Sequence, residues 1–347
     1  AFESTWAAAC QNDVSHSVKI SLSHGKTFLI SPIEFEGPCK CDNITFEILG
    51  SIVAQPKSAW QNTNKGAWLK FQGVDHLSIV GNDLGLVDGQ GDSWWNLAML
   101  FANCNNLEIM GLRHVNSQKF HVSISNSSNA TLSKLHMIAP SNSPNTDGID
   151  IGSSTNITIQ NCTMETGDDC IAIKGGTSNV QISEIACGPG HGISIGSLGE
   201  DGKHDQVEAI NINNCTFNGT QNGVRIKTWQ GGSGFARNIN FSNIIFTMSD
   251  NPVIIDQFYC PHKICSNETS AVKVSDVRYS GLTGTSSESK HPAISFRCSE
   301  TVPCNNIVVD GVDIKSSDQT KSPYSVCLNA HGIARNATSP PLDCLKI

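Results

Sequence analysis

The sequence predicts an all-β solenoid: a right-handed parallel β-helix of about ten coils, forming one domain over residues 1–347 with a helical cap at its N-terminus. Three observations predict it. Short strands with alternating apolar residues recur along the whole chain. The composition is that of strands and turns, with 16% charged and 38% hydrophobic residues, 30 glycines and a polar remainder rich in Asn, Ser and Thr. An alternation of two inside a repeat of 23 to 35 residues excludes a helical repeat.

The first strand of each unit is read at NITFEIL from Asn43, HLSIVG from His76, NLEIMGL from Asn106, NATLSKL from Asn129, NITIQNC from Asn156, NVQISEI from Asn179, AININ from Ala209, NINFSNI from Asn238, AVKVSDV from Ala271 and NIVVDGV from Asn306. A second strand follows after a turn, as in HVSI from His121, GIDI from Gly148, CIAI from Cys170, GISI from Gly192, GVRI from Gly223, PVII from Pro252 and AISF from Ala293. Length varies between the strands, where loops belong. Stacked coils would repeat at about 4.8 Å, with Ile157, Ile159, Ile171 and Ile173 facing inward and their polar neighbours outward. A β-propeller needs a longer and more regular repeat and ranks well below.

Open ends invite edge pairing. Residues 2–10 read as an amphipathic helical cap with Phe2, Trp6 and Cys10 on one side, and Cys344 can pin the tail behind Pro340 and Pro341. Among the 14 cysteines, Cys162 and Cys215 share a slot with Leu112, Leu135, Ile185 and Val277, so they read as buried thiols. Cys170 with Cys187, Cys260 with Cys265, Cys298 with Cys304 and Cys327 with Cys344 are candidate bridges, and Cys10 pairs with Cys39 or Cys41. His262 beside Cys260 and Cys265 could suggest zinc, but a disulfide loop is the favoured reading.

The net charge of −8 excludes a nucleic-acid partner, which needs a basic stripe. No apolar run is long enough to span a membrane. Fourteen cysteines and ten Asn-x-Ser/Thr sequons point to the secretory route and an extracellular location. No signal peptide leads the chain, which reads as mature or trimmed.

Residues 145–227 hold the candidate site. Asp147, Asp169 and His191 each stand immediately before a second strand on successive coils, with Asp168 beside Asp169. Stacking would bring Asp147 and Asp169 to about 5 Å at the backbone. Arg225 and Lys227 follow on the next coil, outward because Val224 and Ile226 point inward. An acid before a strand often only caps a turn; it is the column of acids that favours chemistry. Clustered carboxylates raise one another, so one acid is expected to keep its proton beside ionised neighbours, as glycosidic cleavage requires.

Four motifs in this order, NTD at 145–147, GDD at 167–169, GHG at 190–192 and RIK at 225–227, resemble those of the polygalacturonases, pectin-hydrolysing glycoside hydrolases. GPGHGISIGSLG at 188–199, RIKTW at 225–229 and IIDQFYC at 254–260 resemble their plant branch, and the resemblance covers essentially the whole chain. It implies a right-handed β-helix, no metal cofactor, and hydrolysis of α-1,4 bonds between galacturonic acids of homogalacturonan with inversion. By motif position Asp168 resembles the general acid, and Asp147 and Asp169 the pair that holds and deprotonates water. His191 would tune Asp168, Arg225 and Lys227 would grip a galacturonate carboxylate, Tyr259 matches a substrate-contacting aromatic, and Asn145 would orient its neighbours. A mildly acidic optimum follows, since a proton held on the acid is lost as pH rises.

The chain departs from the plant pattern by starting within the first coil, by a short connection between Trp95 and Phe101 that leaves Cys104 without its usual partner, and by Asp150 where many plant members have His. Compact turns and that short connection favour endo action. Exo action and a rhamnogalacturonan hydrolase are the nearer alternatives; a pectate lyase and a non-catalytic β-helix binding protein are more distant ones. The partner is a polyanionic polysaccharide, pectin, with a proteinaceous inhibitor as a further partner class, and the chain is read as a monomer.

Overall fold

The computed structural model describes residues 1–59, 67–91, 99–261, 267–287 and 291–345. The chain forms two compact units, residues 1–168 and 169–347. Each unit is a stack of parallel coils.

In the first unit, Ser17–Leu22, Asn43–Ile48, Leu77–Asp88, Asn105–Val115, Ser128–Ser133 and Thr155–Glu165 pair in that order. Facing them is a second parallel sheet of Ile33–Glu36, Leu69–Gln72, Met99–Ala102, Val122–Ser125 and Ile149–Gly152. The second unit repeats the scheme. One sheet runs Thr177–Cys187, His204–Asn218, Ser233–Ser249, Lys273–Ser286, Cys304–Ser316 and Ala330–Ser339. The other runs Ile171–Ile173, Ile193–Leu198, Asn222–Thr228, Asn251–Asp256, Ile294–Arg297 and Ser325–Leu328.

The recurring asparagines have a backbone reason. His76, Asn106, Asn129, Asn156, Asn179, Ala209, Asn238 and Asn306 all lie at φ between 53° and 58°. This left-handed region is one that Asn tolerates because its short side chain hydrogen-bonds locally, and other L-residues avoid. Within the first unit the amides also ladder: Asn129 Nδ2 donates to Asn106 Oδ1 and Asn156 Nδ2 to Asn129 Oδ1, each at 3.1 Å.

Because each coil starts at the same bend, alternate residues fall into the interior of their unit, where Ile157 and Ile159 in the first and Ile171 and Ile173 in the second are fully buried. Rings stack along the axis. Phe71 lies 4.6 Å from Phe35 and 5.0 Å from Phe101, and in the second unit Tyr279 lies 5.1 Å from Phe241 and 5.6 Å from Phe296.

The helix Phe2–Cys10 buries Trp6, Ala9 and Cys10 against the first unit. Its Trp6 indole donates to the Glu36 carbonyl at 3.0 Å, and Cys10 is bonded to Cys39. Cys41, the other candidate, is a buried thiol, as is Cys104. The bridges Cys170–Cys187, Cys298–Cys304 and Cys327–Cys344 are present. Cys260 is disulfide-bonded, while its expected partner Cys265 and His262 lie outside the described residues. Trp94 and Trp95 of the short connection also lie outside them.

Cys162 and Cys215 are the buried thiols expected, pushed up by burial to about 11 and about 12. One slot assignment is corrected by the register. Cys215 pairs with Ile244 and Ile244 with Leu282, whereas Val277 pairs with Ile239. The bend of that coil is Asp276, at φ 57° and between the pairs Arg237–Ser275 and Ile239–Val277, so it falls five residues later than the AVKVSDV reading from Ala271 places it.

Ala209 occupies the bend where its neighbours on the same sheet, Asn179 and Asn238, carry Asn. A Cβ without a compensating amide is strained there by roughly 1–2 kcal/mol. Ala209→Asn is expected to raise unfolding stability by about 1 kcal/mol, read from the urea midpoint at unchanged slope; a lower midpoint would contradict this account of the bend.

Candidate active site

In the first unit the acids sit in two tight turns. Asp147 is 4% exposed and precedes Ile149–Gly152, and its carbonyl accepts the His121 N–H at 2.8 Å. Thr146 ties the turns together. Its hydroxyl bonds Ser143 Oγ at 2.6 Å and accepts the Gly167 N–H at 3.1 Å, directly upstream of Asp168. Gly167 admits no side chain, since a Cβ would lie 2.2 Å from the Ser143 carbonyl oxygen. Asp168 is half-buried, and its Oδ2 accepts the Asn145 N–H at 3.2 Å from a bend where Asn145 has φ 55°. Asn145 thus orients Asp168 through its backbone, while its side chain belongs to an exposed residue.

In the second unit the register places Asp169 and His191 in one column. Ile171 pairs with Ile193, and the Cys170 N–H donates to the Gly192 carbonyl at 2.8 Å. A ring nitrogen of His191 and a carboxylate oxygen of Asp169 come within 4.8 Å. Gly192, at φ +86°, follows His191 where a Cβ would lie 2.2 Å from the Gly223 carbonyl oxygen, so glycine is required there.

Three residues along the next coils, Ser194 pairs with Arg225. Arg225 and Lys227 do not stand free toward solvent. Arg225 Nη2 donates to Asp169 Oδ1 at 2.7 Å and Lys227 Nζ to Asp169 Oδ2 at 2.7 Å, with the Asp169 side chain 1% exposed. Val224 and Ile226 point inward as expected, yet Lys227 is buried as well, at 6%. The paired neighbour on the next coil and Tyr259, whose ring lies 5.3 Å from Nζ, cover it.

Sequence reading missed Ser194. Fully buried, its hydroxyl donates to Asp169 Oδ1 at 2.9 Å and accepts from Arg225 Nε at 3.0 Å, bridging acid and cation. Its position facing Arg225 in GISI was the available signal. Lys174 and Asp256 were also passed over; Lys174 adds its charge to the field at Asp169.

Burial pushes the Asp169 carboxyl up, but Arg225, then Lys227 by charge and hydrogen bond, and Lys174 behind them pull it down further, to about 2. Burial also pulls the Lys227 ammonium below its ordinary value, against Asp169. These tendencies oppose each other across one contact. The ion pair prevails because a single carboxylate faces two cations, both of which favour its charged form. Asp169 is therefore an anion throughout the physiological range and does not hold the proton expected among the clustered acids. Both Asp169 oxygens already accept N–H groups of cations that repel a dication, so Asp169 with His191 makes a poor pair of metal ligands.

Asp169→Asn leaves two cations facing a neutral amide, and losing one partner of a buried pair costs about 3–5 kcal/mol. The folded value lies below the ordinary carboxylate value of about 3.9, so this stabilisation is complete above about pH 4 and is lost as pH falls through about 2. Urea unfolding is expected to show the full gap between wild type and variant near pH ~6 and a narrower gap near pH ~2.5. A gap independent of pH would contradict the ion pair.

Residues 10–338 match the family model described as "Glycosyl hydrolases family 28". The Arabidopsis thaliana protein named "Probable polygalacturonase" is 44% identical over 358 residues, covering 100% of this chain and 77% of the relative. A Malus domestica polygalacturonase is 42% identical over 359 residues, covering 98% and 75%. Among solved structures, an endo-xylogalacturonan hydrolase of Aspergillus tubingensis superposes with a TM-score of 0.85 at 25% identity, covering 97% of this chain and 95% of that one. A polygalacturonase of Erwinia carotovora shares the fold, with a TM-score of 0.75 at 23% identity over 92% and 89%. The fold is the right-handed parallel β-helix, and the chain belongs to the glycosyl hydrolases of family 28.

Proposed function

We propose that the protein is a secreted polygalacturonase that cuts α-1,4 bonds between galacturonic acid units of homogalacturonan, within the chain and with inversion. The observation that carries this reading is the likeness to plant polygalacturonases over the whole length at 42–44% identity. The four disulfides among the described residues support passage through an oxidising compartment and an extracellular place in the cell wall. The whole of residues 1–347 acts as one catalytic domain on this reading.

Asp168 donates its proton to the glycosidic oxygen as the bond to the anomeric carbon breaks. A water molecule attacks that carbon from the opposite face and surrenders a proton to the Asp147 and Asp169 pair, so one water is consumed and the anomeric configuration inverts. Asp169, held anionic by Arg225 and Lys227, suits the base and not the acid. Asp168, half-buried and next to it in the chain, accepts the Asn145 N–H and takes the role of the acid on this reading. His191 tunes the acid, and Arg225, half-buried, shares its guanidinium between Asp169 and the substrate carboxylate. Lys227, being covered, acts on substrate chiefly by fixing Asp169, and the Tyr259 ring beside it contacts the substrate. A proteinaceous inhibitor would compete at the same groove, and the chain works as a monomer.

A product time course on polygalacturonate, followed by NMR of the new reducing end and by viscosity, tests the reading. Expected are the β-anomer first and a viscosity drop ahead of reducing-end release. Unsaturated products absorbing in the ultraviolet would make it a lyase, and monomer release from chain ends would make it an exo-enzyme. Asp168→Asn is expected to lower kcat about 10²–10⁴-fold with KM nearly unchanged, whereas near-normal turnover would remove Asp168 as the acid.

A further inference from the structure

A short turn downstream of the cationic pair carries a second aromatic–cation arrangement. In the second unit, Lys227 pairs with Asp256 and Asp256 with Arg297 across successive strands, so Arg297 lies two rungs from Lys227, about 9.6 Å along the stack. Between them, the turn after Asp256 is fixed from three sides. Asp256 Oδ1 accepts the Phe258 N–H at 3.1 Å, the Tyr259 N–H donates to the Thr228 carbonyl at 3.1 Å, and the fully buried Gln257 donates to the Val272 carbonyl and accepts from the Ser299 N–H, each at 2.8 Å.

This turn presents two rings, each with a cation over it. Lys227 Nζ lies 5.3 Å from the Tyr259 centroid and the Arg297 guanidinium carbon 5.7 Å from the Phe258 centroid. The two cations differ in availability. The Lys227 side chain is 7% exposed and committed to Asp169, while that of Arg297 is 50% exposed. The Arg297 contact to Asp256 is 3.9 Å, beyond hydrogen-bond reach, so among the described residues it leaves the guanidinium fork open. Burial raises the Asp256 carboxyl, against its backbone hydrogen bond and the nearby Arg297 and Arg225, which weakens the anion that would otherwise compete for Arg297.

We propose that Arg297 and Phe258 form a sugar-acid subsite remote from the cleavage point, in which the guanidinium fork takes the carboxylate of one uronic acid unit while Phe258 packs against the sugar ring. The proposal rests on the polygalacturonate reading for its substrate class. A planar fork suits a carboxylate and gains little from its methyl ester, so this residue sets preference for unesterified pectin as well as affinity.

Calorimetric binding of an oligogalacturonate, together with kinetics on polygalacturonate and on highly methyl-esterified pectin, tests it on the full chain. Arg297→Gln is expected to raise Kd and KM for the unesterified substrate about five- to tenfold, to change kcat less than about twofold, and to leave KM for the esterified one unchanged. Arg297→Lys should recover only part of the loss. Arg237→Gln, removing a cation from over Phe235 on the opposite sheet, is the control and should move neither constant. Unchanged Kd for the oligomer, or an equal rise in KM on both substrates, would overturn the subsite. If wild type binds the oligomer through Arg297 yet hydrolyses no polygalacturonate, the function falls and the subsite stands.

Discussion

Register between successive coils is the constraint on which everything else here depends. Parallel strands pair rung to rung, and a slip of one residue would move every inward side chain to the surface. The bend that starts each coil holds that register, with asparagine after asparagine near φ 55° in both units. Once it is fixed, the interior fills with stacked Ile and aromatic side chains, and the outward positions become columns. A column is a straight line of chosen chemistry at about 4.8 Å intervals. An enzyme acting on a linear polymer can use such a line.

The second unit shows what this regularity makes possible. Asp169 and His191 share one column, and Ser194 and Arg225 share another three residues along. Long side chains lean back across these columns, so Arg225 and Lys227 converge on Asp169 from later coils. Two cations and a hydroxyl on its acceptor sites offset the desolvation of this carboxylate, 1% exposed. The resulting anion ties successive coils together and stays ionised across the physiological range.

A glycoside hydrolase needs carboxyls whose environments differ. Asp169 is buried and clamped, whereas Asp168, the next residue, is half-buried and accepts a backbone N–H from the Asn145 bend. Adjacent side chains along an extended or turning chain point different ways, and so two acids separated by a single peptide bond occupy different surroundings. The difference in surroundings therefore comes from backbone geometry, reinforced by Thr146 and Gly167, which hold the turn before Asp168.

The alternation of apolar residues and the repeat length were enough to name the β-helix, its inward face, the helical cap and the bridges at Cys170, Cys298 and Cys327, because these depend on local period and on contacts one coil away. Four motifs in order were enough to bring the acids, His191 and the RIK triplet to one stretch, and with them the family. The tertiary structure alone decided which charges meet. Arg225 and Lys227 stand 56 and 58 residues from Asp169, and nothing in their spacing says that they reach back to it instead of out to solvent. Nor could spacing show Lys227 buried, Ser194 bridging acid and cation, or Leu282 in the slot first given to Val277. Side-chain direction and the position of each coil's bend, Asp276 and not Ala271 in the last case, set these, and both are properties of packed coils, not of the order of residues.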